Sequence, residues 1–229
     1  RAESKLGRFV WIPAFAGMTA ILTFLAPLSA HASGLTKPPN NLGLVGSWSM
    51  EDGVGATATD FSGKGNTGTL TNMEAADWVA GKRGKALSFD GVDEYVNLNS
   101  TSIDSTGNFS TSFWFKSNSI STFQGFLYIV KTGYTNNDSL VVAIKASKIL
   151  ASTAANSGAS KESGTLNSST WYHVVVVKSA TQVDKIYING VDVTAAASDY
   201  VGSGTAGSIL GDSLTTGSVP IIPFDGVLD

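Results

Sequence analysis

The sequence predicts an all-β fold, an antiparallel two-sheet β-sandwich of the jelly-roll kind. Three observations carry the prediction. Apolar runs of strand length recur with turn residues between them, and no amphipathic helical period of useful length interrupts them. Phe109–Lys116 alternates cleanly, so that Phe109, Thr111, Phe113 and Phe115 share one face and Trp114 points to the other. Asn189-Gly190 stands between the strand-like runs 183–188 and 191–193, where a two-residue hairpin turn needs positive φ at both positions.

The segments follow in order. Arg1, Lys5 and Arg8 precede an apolar stretch from Phe9 to Leu28, and Ala30-His31-Ala32 has the small-x-small pattern of a cleavage site. Residues 1–32 therefore read as a signal peptide and the protein as secreted. A membrane anchor of similar length is the competing reading, and Pro13 and Pro27 speak against it. Residues 33–42, with Pro38-Pro39-Asn40-Asn41, read as an extended linker. Residues 43–229 form the sandwich domain.

Within that domain, Leu44–Met50 reads as a short apolar strand. A loop rich in glycine and aspartate follows, and then the strands around Lys85–Asp90 and Glu94–Leu98. Gln124–Lys131 and Ser139–Lys145 are further strands, separated by the polar loop 133–138. Trp171–Lys178 reads WYHVVVVK, the β-branched run expected of a strand buried on both faces.

Composition narrows the function. The net charge is −3 with no basic cluster, which argues against nucleic acid as a partner. The absence of cysteine excludes disulfides, thiolate metal sites and cysteine catalysis. Only 14% of residues are charged, and Ser, Thr, Gly and Asn take the remaining polar positions, a mix that suits a pleated extracellular domain. Neither Gly53-Val54-Gly55 nor Gly63-Lys64-Gly65 opens a helix, so neither makes a phosphate loop.

The motif order carries a resemblance. Gly46-Ser47-Trp48-Ser49-Met50 leads to Asp60-Phe61-Ser62-Gly63-Lys64-Gly65-Asn66-Thr67-Gly68, then to Gly84-Lys85-Ala86-Leu87-Ser88-Phe89-Asp90-Gly91 and Glu94-Tyr95-Val96. Phe113-Trp114-Phe115-Lys116, Trp171-Tyr172-His173-Val174 and Ile186-Tyr187-Ile188-Asn189-Gly190 follow, and Phe224-Asp225-Gly226-Val227-Leu228-Asp229 ends the series. Together they resemble the concanavalin A-like lectin/glucanase superfamily, and within it the bacterial laminin G-like jelly-roll domains. In that family the closing strand runs on past this aspartate. The resemblance thus implies a truncated domain, part of a larger multidomain protein, with Leu44–Met50 left short of a neighbour.

The resemblance also implies a structural Ca²⁺, held by Asp60 and Asn66 of the glycine-bearing loop with Asp229 of the closing strand. Glycines there let carbonyls turn toward a hard cation. The competing reading is an Asx-type turn in which Asp60 and Asn66 bond their own backbone. Asp90-Gly91-Val92-Asp93-Glu94 is a rival acidic site, read more simply as a solvated turn.

Sugar binding needs aromatic faces and polar groups around them. Trp48 and Trp171 read as packing residues and Trp78 as a loop residue, which leaves Trp114 and Tyr134 as the candidate ligand-binding side chains. Catalysis has little support. The acidic residues form no alternating strand motif of the kind a glycosidase pair requires, and His173 lies in an apolar run. The expected function is a non-catalytic extracellular binding module for a glycan or cell-surface polymer, with no membrane contact in the mature form. A structural spacer is the alternative, and a glycoside hydrolase-like enzyme a more distant one.

Overall fold

A computed structural model of the chain describes residues 43–98, 107–130, 139–153, 160–197, 208–211, 215–216, 219–220 and 222–229. The expected signal peptide, the linker and Tyr134 lie outside the described residues. Residues 43–229 form one compact unit.

In chain order the strands are β1 (Thr57–Ala58), β2 (Gly68–Thr71), β3 (Trp78–Ala80), β4 (Lys85–Asp90), β5 (Tyr95–Asn97) and β6 (Phe109–Ser117). Then come β7 (Gln124–Val130), β8 (Ser139–Lys145), β9 (Lys148–Ser152), β10 (Lys161–Thr165), β11 (Tyr172–Lys178) and β12 (Val183–Ile188). The last are β13 (Val191–Asp192), β14 (Ala195–Ala196), β15 (Ile209–Leu210), β16 (Thr215–Thr216), β17 (Val219–Pro220) and β18 (Asp225–Leu228). Among the described residues the only helical turn is a short 3₁₀ segment, Ala75–Asp77.

One sheet runs β1-β2-β5-β15-β7-β8-β9-β10-β14 and the other β13-β12-β11-β6-β18-β4-β3, while β16 and β17 form a small ribbon. All pairings are antiparallel. This is the predicted two-sheet sandwich.

The core follows from the pleat. Leu87 and Phe89 of β4, Phe115 of β6, Val174 and Val176 of β11, Ile186 of β12 and Leu228 of β18 face Val96, Ile129, Leu140, Val142, Ile144 and Ile149 of the other sheet in one buried cluster. Phe126 centres it, with ring centroids 4.6 Å from Phe115 and 4.8 Å from Phe224. Each such side chain contributes roughly 1.5–3 kcal/mol by leaving water.

A second cluster lies on the other face of the nine-stranded sheet. Tyr128, Val141, Ala143 and Leu150 are buried there with Ile209 and Ile222, and Tyr95 and Ala197 pack against them. The strand buried on both faces is therefore β8, where Leu140, Val142 and Ile144 serve one cluster and Val141 and Ala143 the other. β11, expected to be that strand, buries Val174 and Val176 and leaves His173, Val175 and Val177 half-buried on the outer face.

One further difference concerns the start of the domain. Leu44–Met50 is not a strand: it holds only an isolated bridge, Trp48 to Asp60. The closing strand β18 lies inside its sheet, paired with β4 on one side and β6 on the other. The Asn189-Gly190 hairpin is present, with φ of 51° and 82° joining β12 to β13.

Candidate functional site

The outer face of the seven-stranded sheet carries the aromatic group. Phe113, Phe115 and Ser117 of β6 turn toward the core side, so Ser112, Trp114 and Lys116 turn outward. The antiparallel register sets His173 opposite Trp114 and Val175 opposite Ser112. Trp114 and His173 lie with ring centroids 5.0 Å apart, inclined by 38°. His173 Nε2 and Ser112 Oγ share a 2.8 Å hydrogen bond. The backbone at His173 is fixed as well: its N–H donates to Asn189 Oδ1 (2.9 Å), and Asn189 N–H donates to its carbonyl (2.8 Å). The hairpin turn found in the sequence thus positions the imidazole beside the indole.

Lys82, on the turn between β3 and β4, places its Nζ 5.4 Å from the centroid of the Trp114 ring. One ladder step away, Lys116 Nζ lies at the same distance over Trp171. Trp171, expected to be a core residue, shares the outward parity of His173 and is half-buried. Its outward parity follows from the buried Val174, Val176 and Lys178, an alternation that the uniform valine run does not show in the sequence. Trp78, expected in a loop, is instead the buried first residue of β3, with its Nε1–H donating to Gly55 O (3.1 Å). Trp48 packs against the core, as expected, and donates Nε1–H to Asn66 O (2.8 Å).

The glycine-bearing loop is organised by Asp60. Its Oδ1 accepts Ser47 N–H (3.0 Å) and Ser62 N–H (2.8 Å), and its Oδ2 accepts Ser62 Oγ–H (2.8 Å) and Asn66 N–H (2.9 Å). Burial works to raise its pKa, but these four donors outweigh it and hold the carboxyl below the usual carboxylate range. Asn66 donates Nδ2–H to Val45 O (2.7 Å). A carboxylate offers about four lone-pair positions, and here each already faces a donor. Asp229 is committed to a different sheet: its Oδ2 accepts Arg83 N–H (2.7 Å), and its backbone pairs with Trp114. Asp60 and Asn66 thus bond within and beside their own loop, and Asp229 bonds to the β3–β4 turn. Among the described residues no group of three or more His, Asp or Glu side chains is placed to hold a metal.

The rival acidic turn joins β4 to β5 as expected, but Glu94 in it is only 7% exposed. Its Oε2 accepts Asp90 N–H (2.6 Å). Burial, with Asp77 and Asp90 nearby, pushes its carboxyl up to about 7.

Comparison with known proteins gives the following. No curated protein matches the chain significantly. Among solved structures, a sialidase of Trypanosoma rangeli bound to an inhibitor matches at 13% identity and TM-score 0.50, over 95% of this chain and 36% of that one. Domains LG4-5 of the mouse laminin alpha1 chain match at 17% identity and TM-score 0.45, over 62% of this chain and 39% of theirs. Domain 4 of AbnA, a GH43 extracellular arabinanase of Geobacillus stearothermophilus solved with arabinotriose, matches at 21% identity and TM-score 0.42, over 74% of this chain and 82% of that domain. The chain thus spans well under half of the laminin and sialidase chains, and the likeness concerns the fold alone. Residues 90–229, more than half of the sequence, match a family model of laminin G type, and the chain belongs to the concanavalin A-like lectin/glucanases superfamily.

Proposed function

We propose that this domain is a non-catalytic carbohydrate-binding module and that the outer face of its seven-stranded sheet is the binding surface. The observation that carries the reading is Trp114, held half-buried on that face between His173 and Lys82. An indole so placed offers an apolar ring for a pyranose, with donors around it for hydroxyl groups. The opposite sheet has its outer face buried at Tyr128, Val141, Ala143 and Leu150, which directs the ligand to the seven-stranded side. The carboxylates flanking β18 serve the fold: Asp229 accepts Arg83 N–H, and Asp225 Oδ1 accepts Asn118 Nδ2–H (2.6 Å). Binding without bond cleavage is the chemistry this arrangement supports. With the export signal read at residues 1–32, the module works outside the cell as part of a longer secreted protein.

The test is retention of the full chain on a panel of insoluble and gel-immobilised polysaccharides, with Trp114→Ala in parallel. Retention by at least one glycan, lost in the variant at unchanged melting temperature, is the expected result. Failure of every glycan to retain the folded wild type would leave the domain as a spacer.

A further inference from the structure

We propose that the 3₁₀ turn Ala75–Asp77 is a proton-operated flap: Asp77 and Glu94 share one proton that docks the turn against the start of β5, and loss of that proton releases it. The switch does not depend on what the outer sheet face binds. Its two carboxyls come from different segments. Asp77 closes the turn between β2 and β3, and Glu94 immediately precedes β5. Glu94 is 7% exposed, its Oε2 accepts Asp90 N–H (2.6 Å), and its carboxyl meets that of Asp77. Asp77 Oδ2 in turn accepts Glu74 N–H, closing a capping box across the turn. The turn hangs between two fixed points. On one side Asn72 donates Nδ2–H to Asp93 O (3.2 Å) and Oδ2 (3.0 Å), and Met73 packs against the core. On the other, Trp78 is buried and donates Nε1–H to Gly55 O (3.1 Å). Between them Glu74, Ala75 and Ala76 are exposed, so Asp77 is the residue by which the turn reaches inward.

The charges around the pair set the direction of the switch. The titratable groups about Glu94 are carboxyls: Asp77 on the turn and Asp90 at the end of β4. Asp93 adjoins it in the chain, Glu74 opens the turn, and Asp225 of β18 stands opposite Asp90 in the ladder. Among the described residues the side-chain ion pairs are Lys148–Glu162 and Lys185–Asp192, so no cation pairs with any of these. Two carboxylates in contact repel, and burial penalises the charge of Glu94 further. One proton between them turns the repulsion into a short charge-assisted O–H···O⁻ bond. Burial is the largest cause that raises the Glu94 carboxyl to about 7, with Asp77 and Asp90 adding to it and the Asp90 N–H opposing. The docked turn thus holds the proton more tightly than the released one, and the turn lets go as pH rises through about 7. The ties at Asn72 and Trp78 do not use this proton, so the movement is confined to residues 74–77. The flap borders β3, the edge strand of the seven-stranded sheet, and leaves the strand itself in place.

The experiment is a pH titration of the full chain by NMR, from well below to well above about 7. It reads the side-chain carboxyl carbon of Glu94 and the backbone amides of residues 74–77 and Asp90, with amide hydrogen exchange at both ends of the range. The Glu94 carboxyl and the amides of Glu74, Asp77 and Asp90 are expected to move with one common midpoint near 7. Above it the amides of Glu74 and Asp77 lose protection while those of β3 and β4 keep theirs. Glu94→Gln retains a neutral donor toward Asp77 and an acceptor toward Asp90 N–H, so its turn is expected to stay docked and its amides to hold still across the range. Asp77→Asn removes the second charge, and its Glu94 carboxyl is expected to titrate at lower pH than in wild type. Melting curves check that both variants are folded, and where one is not, the wild-type titration decides alone. Turn amides that hold still and stay protected while Glu94 titrates overturn the flap. So does a Glu94 midpoint near the ordinary 4.5, or an Asp77→Asn variant whose midpoint is that of wild type.

Discussion

His173 stands directly opposite Trp114 in the β6–β11 ladder, its ring 5.0 Å from the indole and its Nε2 bonded to Ser112 Oγ. The imidazole acts as a bracket for the indole. His173→Ala is expected to leave the fold intact, cost about 0.5–1.5 kcal/mol of stability, and weaken glycan binding less than Trp114→Ala does. Melting curves and binding isotherms of the two variants check this. An effect of His173→Ala on binding as large as that of Trp114→Ala would make the imidazole a direct contact.

Trp114→Ala is expected to reduce affinity at least about tenfold, as loss of a central aromatic contact does. The indole is on the outer face, so the expected loss of stability is small, about 1 kcal/mol or less. Isothermal titration with whichever glycan retains the chain measures the first quantity, and a thermal melt the second.

Asp60 ties four donors from Ser47, Ser62 and Asn66 into one turn. Asp60→Ala orphans them and is expected to cost about 2–4 kcal/mol. Its carboxyl is held below 3.8, so its stabilising contribution is full above that value and is lost as pH falls through the lower folded pKa. Because the loop is closed by its own donors, the melting midpoint of wild type is expected to be the same in excess calcium and in chelator. A calcium-dependent rise that Asp60→Ala abolishes would assign the loop to a metal.

Glu94 has the opposite sign. Burial first, then Asp77 and Asp90, raise its carboxyl from an ordinary 4.5 to about 7. Between those values the folded state keeps the proton and the unfolded state releases it. Stability therefore falls as pH rises through this window and levels off above about 7. In Glu94→Gln this slope is expected to vanish, as read from melting temperatures across the window. An unchanged slope in the variant would place the titrating group elsewhere.

The seat of the closing strand makes another prediction. Gly226 has φ 148°, and a Cβ there would collide with the carbonyl oxygen of Lys116. Gly226→Ala is expected to push β18 off β6 and cost about 3 kcal/mol or more, as measured by chemical denaturation. The backbone pairing of Asp229 with Trp114 would loosen with it.

The sequence made the inward and outward faces of β6 legible, because Phe109, Phe113 and Phe115 alternate with polar residues and leave Trp114 outside. Asn189-Gly190 was legible for a local reason, the positive φ at both positions. Leu44–Met50 misled because its apolar residues answer to side-chain bonds: Trp48 and Asp60 fix the segment through Asn66 and Ser47 without a ladder. β11 misled because four consecutive valines carry no parity. Trp171 therefore reads as a core residue, and the ladder alone shows it facing Lys116. Lys82 had no local signal at all, since its meeting with Trp114 depends on β3 and β4 lying beside β18. The burial of Glu94 is likewise a tertiary effect, invisible in an acidic turn.

The most direct measurement follows the tryptophan indole N–H resonances of the full chain during titration with a retained polysaccharide. The signals of Trp114 and Trp171 are expected to shift with a common saturation curve. Those of Trp48 and Trp78, whose indole N–H groups are committed to Asn66 and Gly55, stay in place. Saturable binding that leaves Trp114 unmoved would contradict the assignment of the seven-stranded face as the binding surface.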